Sequence, residues 1–478
     1  FQSQGRGPSG RNILIVGAGD AGSLLLRDIE GQPDLLMHAV GFVDDDPAIA
    51  NRTIRGVRVL GPVAELPRIV REREVDEVLV AVPSATSDDR RRILDACTKA
   101  GAKTRIVEPM VLDGQSVGVA DLRKVDVEDL LGREPVPIDV EQVASTVRGK
   151  VIAVTGAAGS IGSELCRQVI TLGPSRLLLI DTDESRTYEM FLELRRTDPS
   201  APRMHICDVR DARKITGLLA AERPSIVLHA AAYKHVPLME LEPDEAVKTN
   251  VWGTRNVIEA CESAGVEHFV LISTDKAVMP SSVMGATKSV AEALTMHAAR
   301  RGLIKTSAVR FGNVLGSRGS VIPIFEEQLR TGGPLLVTHP EITRYFMTIP
   351  EAARLVLQAQ AISEGGELFV LEMGEPVRIV DLARKMITLS GVDAEIEFIG
   401  LRPAEKLSET LVHSGQDLLP TDRQKILRLN ALRILPDDID ERIAALIDAA
   451  RTGERDECVR LLEALTPDFR RETVRAPA

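Results

Sequence analysis

Lys150-Val151-Ile152-Ala153-Val154-Thr155-Gly156-Ala157-Ala158-Gly159-Ser160-Ile161-Gly162 is the stretch on which the fold of this chain turns. Residues 150–155 form a short apolar run, the pattern of a strand buried on both faces. Gly156, Gly159 and Gly162 then recur in a GxxGxxG spacing, and a helix is expected from Ser163. Glycines at such a turn let strand and helix approach closely, and the backbone N–H groups at the helix start favour an anion. Gly156, Gly159, Ser160, Ile161 and Gly162 are therefore candidate phosphate-binding residues.

The neighbouring segments extend this reading. The strand Leu177–Ile180 ends at Asp181, placed to accept both ribose hydroxyls of an adenosine and to repel a 2′-phosphate. NAD is thus favoured over NADP, with Arg186 as the residue arguing the other way. Asp208-Val209, the strand 226–229 leading into Ala230-Ala231-Ala232, Asn250, and the strand Phe269–Ile272 before Ser273 follow in order. Asp208, Val209, Ala230 and Ala231 complete the expected cofactor site.

Upstream the pattern occurs once already. The strand Asn12–Val16 runs into Gly17-Ala18-Gly19-Asp20-Ala21-Gly22 and an apolar helix through Leu24, Leu25 and Leu26, a GxGxxG loop in strand-to-helix context. The strand His38–Val43 ends in Asp44, and another, Glu77–Val82, closes at Pro83. Gly17–Gly22 either holds a second nucleotide-like ligand or serves only a tight turn and close helix packing. The expected class is α/β, with two Rossmann-like parallel-sheet domains in tandem, the second carrying a smaller C-terminal substrate-binding subdomain. Their expected bounds are 11–108, a connecting segment 109–149 marked by Pro135 and Pro137, 150–435, and C-terminal helices 436–478. Ile439, Ile443, Leu446 and Ile447, then Val459, Leu461, Leu462 and Leu465, recur at helical spacing, for packing or for contacts in a homo-oligomer such as a dimer or hexamer.

Composition removes other classes. The 478 residues carry a net charge of −11, which argues against a nucleic-acid surface. The five cysteines are scattered without metal spacing, so no metal site is expected. No apolar run approaches the roughly 20 residues of a membrane helix, and Phe1-Gln2-Ser3-Gln4 has no signal-peptide pattern. A first residue other than methionine leads to the expectation that an upstream segment was removed. The single Trp252 gives no hint of a sugar-stacking platform.

A set of longer motifs is more specific: His229-Ala-Ala-Ala-Tyr-Lys-His235, Ser273-Thr-Asp-Lys-Ala277, Met284-Gly-Ala-Thr-Lys288, Arg310-Phe-Gly-Asn-Val-Leu-Gly-Ser-Arg318, Thr343-Arg-Tyr-Phe-Met347 and Arg402-Pro-Ala-Glu-Lys406. In this order they resemble the extended short-chain dehydrogenase/reductase superfamily, and within it the UDP-N-acetylglucosamine 4,6-dehydratases of capsule, lipopolysaccharide and protein-glycan biosynthesis. The resemblance covers about residues 150–430. A tyrosine usually stands four residues before the lysine; here it is Met284, as in the long members of that family. Tyr188, Tyr233 and Tyr345, the three tyrosines of the chain, lie elsewhere in the sequence. The long members also carry an extra nucleotide-binding-like domain, and usually N-terminal membrane helices that would place the full-length protein on the cytoplasmic side of the inner membrane. The expectation is a truncated chain, soluble by itself, whose membrane contact would come only through the absent segment. Ala404 stands where the family more often has glycine.

The resemblance implies a lyase reaction on UDP-N-acetylglucosamine with NAD. A hydride leaves C4 for the nicotinamide, C5 loses its proton, the C6 hydroxyl departs as water, and the hydride returns to C6, with retention at C5. It assigns Lys276 as the base at C5 and Asp275 as the acid at the C6 hydroxyl, each contributing about 10²- to 10⁴-fold. Lys276 is expected to have a lowered pKa from burial and from the charges of Lys288 and NAD⁺, and Asp275 to be protonated. Thr274 would bond near the C4 oxygen, Met284 cannot act as acid or base, water or Asp275 would take the C4 proton, and Lys288 would bind the nicotinamide ribose. Asn313 is the expected sugar-phosphate ligand, Arg318 and Arg402 meet the diphosphate, and Glu405 accepts from the uridine ribose. His235, His339 and Tyr345 are expected to be structural. A UDP-sugar 4-epimerase shares the fold but usually needs the tyrosine and no C5 base; a nucleotide-sensing scaffold without catalysis is the non-enzymatic alternative. Taken alone, Thr274-Asp275-Lys276 would read as an exposed polar turn.

Overall fold

The computed structural model describes residues 10–107, 117–126, 129, 138–413, 416–430, 436 and 438–471. Two compact units emerge: one built from residues up to Pro135 with Ile324–Leu336 and Asp381–Glu397, the other from Val136–Pro323, Val337–Val380 and Phe398 onward. Both are Rossmann-like α/β structures around largely parallel sheets. Segments 324–336 and 381–397 thus belong to the first unit although they fall within 150–435; Leu389 packs on the first unit's core and Lys385 lies 3.5 Å from Asp95. Pro109, Pro135 and Pro137 of the connecting segment lie outside the described residues.

In the first unit, strands β1 (Arg11–Val16), β2 (Met37–Val43), β3 (Thr53–Ile54), β4 (Val57–Gly61), β5 (Glu77–Val80), β6 (Lys103–Val107) and β7 (Leu122–Lys124) form a sheet in the order β3-β4-β2-β1-β5-β6-β7. The expected strand 77–82 ends at Val80, and the helix after the first glycine loop, α1, spans Asp20–Gly31.

The second unit has a nine-stranded sheet. Its strands are β8 (Val151–Thr155), β9 (Arg176–Asp181), β10 (Pro202–Ile206), β11 (Ile226–His229), β12 (His268–Ile272), β13 (Lys305–Arg310), β14 (Glu367–Leu371), β15 (Leu418–Pro420) and β16 (Ile426–Leu429), ordered β10-β9-β8-β11-β12-β13-β14-β16-β15. The first seven in that order are parallel and the last two pair antiparallel. The period of two along each strand explains the unbroken apolar runs. Ile152 and Val154 enter one core with Leu177, Leu179, Ile226, Leu228 and Val270, while Ala153 enters the other with Leu178, Ile180, Val227, Phe269 and Leu271. The strand order reverses beside β8, between β9 and β11, the place where open α/β sheets leave a crevice at the strands' carboxyl ends.

Helix α2 spans Ser160–Thr171, three residues earlier than expected, because the third glycine already lies in its first turn. Helix α3, Val283–Arg301, is buried around most of its circumference; Ser282 Oγ accepts from Gly285 N at 3.1 Å, and Gly302 ends it at φ +68°. Among the described residues no helix is long and apolar enough to cross a membrane.

Candidate active site

The glycine loop after β8 is built for close approach. Gly156 has φ +67°, and a Cβ there would lie 2.6 Å from Ala231 N and 2.7 Å from Ala230 C. A Cβ on Gly162 would come within 2.1 Å of Gly156 O. Ala230 and Ala231 therefore set the floor of the turn. Asp181 lies at the end of β9, where Oδ2 accepts from Ala158 N at 2.9 Å and Oδ1 accepts from Thr182 N at 2.7 Å and Asp183 N at 3.0 Å. This cradle, the start of α2 and an acid at the end of β9 fit a dinucleotide. Asp208 is engaged by Arg210, whose Nε and Nη2 donate at 2.8 and 2.6 Å, and buried Val209 receives Asn256 Nδ2 on its carbonyl at 3.0 Å. Arg318, expected at the substrate diphosphate, instead donates to Ala158 O and lies along the glycine loop.

The first unit repeats this device. A Cβ on Gly22 would lie 1.9 Å from Gly17 O, and Asp44 Oδ2 accepts from Ala18 N at 2.7 Å.

Beyond β12 the chain continues its pairing, with Ser273 N donating to Val309 O at 2.8 Å and Asp275 N to Phe311 O at 2.9 Å. Thr274–Ala277 then turn tightly, and α3 lies so close that a Cβ on Gly285 would be 2.2 Å from Lys276 O. The turn is not an exposed polar one: Asp275 is fully buried. Its Oδ1 accepts from Thr274 Oγ1 at 2.9 Å and Lys276 Nζ at 3.0 Å, while Oδ2 has no hydrogen-bond partner. Lys276 Nζ also donates to Asn313 Oδ1 at 2.9 Å and lies 3.8 Å from Glu409 Oε1. The expected lowering of the Lys276 pKa is corrected. Burial draws it down, but the carboxylates of Asp275 and Glu409 outweigh burial and hold it above the ordinary lysine value. The like charge that opposes them is Arg344, not Lys288.

Lys288 is buried and donates to Ile272 O at 2.7 Å; burial pushes it down to about 8 against the pull of Glu292. Met284, one turn earlier, is buried and presents a thioether. Behind the turn, Glu292 accepts from Ser273 Oγ at 2.6 Å and from Arg310 Nε and Nη2 at 3.1 and 2.7 Å. A second buried network joins β8, β11 and α3. Thr254 Oγ1 donates to Asn250 O at 2.7 Å, so it accepts from His229 Nε2–H at 3.0 Å, and His229 Nδ1 accepts from Thr155 at 2.7 Å. Burial pushes His229 down to about 3, so it is a neutral link. Asn250, in a π-helical stretch Val247–Gly253, clamps Tyr233 N and O and donates to Thr287 at 3.0 Å.

Next to Lys276 opens a cavity of about 150 Å³, lined among others by Arg344, Arg402, Glu405, Lys406 and Glu409. Arg402 is exposed at its edge. Glu405 is already engaged: it accepts from Arg344 Nη2 at 3.3 Å and from Arg402 N at 3.1 Å. Ala404 sits at φ +61°, the left-handed region in which glycine carries no strain. His235 packs under Gly319, His339 Nδ1 accepts from Glu341 N at 3.1 Å, and Tyr345 O accepts from Asn313 N at 3.1 Å. Sequence reasoning missed Glu409, Lys406, Arg344 and the Glu292–Arg310 pair. Glu409 and Lys406 stood in or beside the Arg402–Lys406 motif, but nothing in their spacing places them beside Lys276.

Comparison with known proteins agrees with this geometry. Residues 152–431 match the polysaccharide biosynthesis protein family, and residues 4–108 match a CoA-binding domain. The capsular polysaccharide biosynthesis protein CapD of Staphylococcus aureus is 45% identical over 446 residues, 91% of this chain and 74% of that protein. A UDP-N-acetylglucosamine 4,6-dehydratase (inverting) of Campylobacter jejuni is 32% identical over 304 residues, 62% of this chain and 88% of the relative. Among solved structures, Pen from Bacillus thuringiensis is 33% identical, covering 59% of this chain and 90% of its own, with a TM-score of 0.54. With more than half its length matched, this chain belongs to the polysaccharide biosynthesis protein family.

Proposed function

We propose that the second unit is an NAD-dependent 4,6-dehydratase acting on UDP-N-acetylglucosamine, whose 4-keto-6-deoxy product serves surface polysaccharide assembly. The observation that carries this reading is Asp275 and Lys276 bonded to each other in a buried turn against which the helix carrying Met284 packs closely. A Campylobacter jejuni relative named as the inverting UDP-N-acetylglucosamine 4,6-dehydratase supports the dehydration, while retention at C5 rests on the resemblance to the long members of the family. NAD, when bound, would supply reversible hydride transfer; Gly156, Gly159, Ser160, Ile161, Gly162, Ala230, Ala231 and Asp181 would hold it, with Arg318 along the same loop. The Asp181 carboxylate there favours NAD over NADP.

In this reading Asp275 takes the C4 hydroxyl proton on its unpartnered Oδ2 as the hydride leaves and then delivers it to the departing C6 hydroxyl. Lys276 receives the C5 proton, and Thr274 orients the C4 oxygen. Lys288 stiffens the site through Ile272 O and would bind the nicotinamide ribose. Arg402 at the cavity edge meets the diphosphate. Met284 leaves a 4-epimerase without the proton shuttle it usually needs.

The test is incubation with UDP-N-acetylglucosamine and catalytic NAD⁺ in D₂O, followed by NMR. A 4-keto-6-deoxy sugar with deuterium at C5 and retained configuration is the expected product. A C4 epimer, or unchanged sugar with both ligands demonstrably bound, would replace dehydration with epimerisation or a sensing role.

A further inference from the structure

Lys276 presents a difficulty for any reaction in which it removes a proton. It is held as an ammonium between Asp275 Oδ1 at 3.0 Å and Glu409 Oε1 at 3.8 Å, and an ammonium has no lone pair. Asp275 cannot relieve it while serving as the acid for the C6 hydroxyl. Glu409 is differently placed. It is 7% exposed and lines the same cavity, and its Oε2, 3.7 Å from Lys406 Nζ, has no hydrogen-bond partner among the described residues. An oxygen on which no hydrogen bond falls keeps a lone pair for an incoming proton.

The geometry points to Glu409 as the positioning residue that takes up the proton Lys276 must shed before acting as a base, an inference that rests on the dehydratase reading. Lys276 passes one proton to Glu409, so an ion pair in a dry site becomes a neutral amine and a neutral acid. The C5–H bond breaks with its proton going to Nζ; its electron pair forms the C5=C6 bond, and the C6–O bond breaks. Asp275 protonates the departing hydroxyl, which leaves as water. When the hydride returns to C6, Lys276 gives the proton back to C5, and Glu409 then returns its own to Lys276. The proton that Asp275 gives to the hydroxyl is the one it took from the C4 hydroxyl at the outset, so Asp275 ends the turnover as the carboxylate it began as.

The experiment uses the full chain as wild type, Glu409→Gln and Glu409→Asp, with two readouts. In the first, labelling of Lys276 by trinitrobenzenesulfonate is titrated with pH and read by peptide mass spectrometry, without ligands. Removal of the Glu409 charge shifts the Lys276 midpoint to lower pH. In the second, kcat and KM are followed across pH. Glu409→Gln is expected to lower kcat by about 10- to 100-fold near neutrality with KM within about threefold. Its residual kcat should climb by about tenfold per pH unit, since hydroxide must now take the Lys276 proton, while Glu409→Asp recovers part of the rate. An unchanged kcat and pH profile in Glu409→Gln overturns the inference, as does a loss confined to KM or a slow variant with a flat profile and an unmoved Lys276 midpoint. A wild type that yields a C4 epimer, or no keto product with both ligands bound, removes the dehydratase reading itself and this relay with it; the Lys276 titration is the observation that separates that failure from a wrong choice of Glu409.

Discussion

The buried pair Arg310–Glu292 holds the turn Thr274–Ala277 from behind, and breaking it can be followed quantitatively. Both side chains are nearly inaccessible, and Glu292 carries three hydrogen bonds, two from Arg310 and one from Ser273 Oγ. Glu292→Leu leaves the guanidinium buried with Leu411 O, at 3.0 Å, as its one remaining partner among the described residues. An unpaired buried charge of this kind costs about 3–5 kcal/mol. For a unit of this size that corresponds to a fall in Tm of about 5–8 °C. Arg310→Met should cost about as much by stranding the carboxylate. The double variant removes both charges and leaves Ser273 Oγ and Leu411 O unsatisfied, about 1–3 kcal/mol each. Its cost should therefore fall well below the sum of the singles. Urea and thermal unfolding of the four proteins measure the cycle. Single variants within about 1 kcal/mol of wild type, or a double variant equal to the sum, would refute the pair as a coupled buried unit.

Three further outcomes follow from individual residues. The depressed Lys288 pKa means that between about pH 8 and the ordinary lysine value the unfolded chain binds more protons than the folded one, so stability rises with pH through that window; Lys288→Met should remove this rise in a pH series of unfolding curves. Ala404→Gly relieves a left-handed backbone and should raise stability by up to about 1 kcal/mol with unchanged KM, whereas Ala404→Val at the same φ should lower it, both read by thermal unfolding. Met284→Leu conserves buried volume without adding a proton carrier, and kcat should stay within about threefold of wild type in the D₂O assay; a loss of more than about 100-fold would give the thioether a role of its own.

The two nucleotide-type units were legible because their signals are local. An apolar strand, a glycine loop and a helix start occupy about a dozen consecutive residues, and Gly17, Gly22, Gly156, Gly159 and Gly162 proved to be fixed by contacts made within that unit or at the next strand end, as Gly156 is by Ala230 and Ala231. Asp181 was found for the same reason, since the end of β9 is defined by the end of an apolar run. The charge state of Lys276 was not legible. It depends on Glu409, which is distant in sequence and meets the lysine only in the folded chain. The assignment of Arg318 to the substrate diphosphate met the same obstacle, because the fold carries the arginine back to Ala158. Segments 324–336 and 381–397 joined the first unit through side chains such as Lys385 and Leu389, whose helical patterning says that they bury a face but not against which core.

By itself the sequence determined the strand order's raw material, the two glycine turns and the residue types available for proton transfer, since these depend on periodicity, backbone freedom and functional groups carried by neighbouring residues. Tertiary structure decided which carboxylates face Lys276, which oxygens remain without a donor, and where Arg318 and Glu405 point. Charge–charge energies vary with separation and burial, and both are set by which distant segments the two cores bring together.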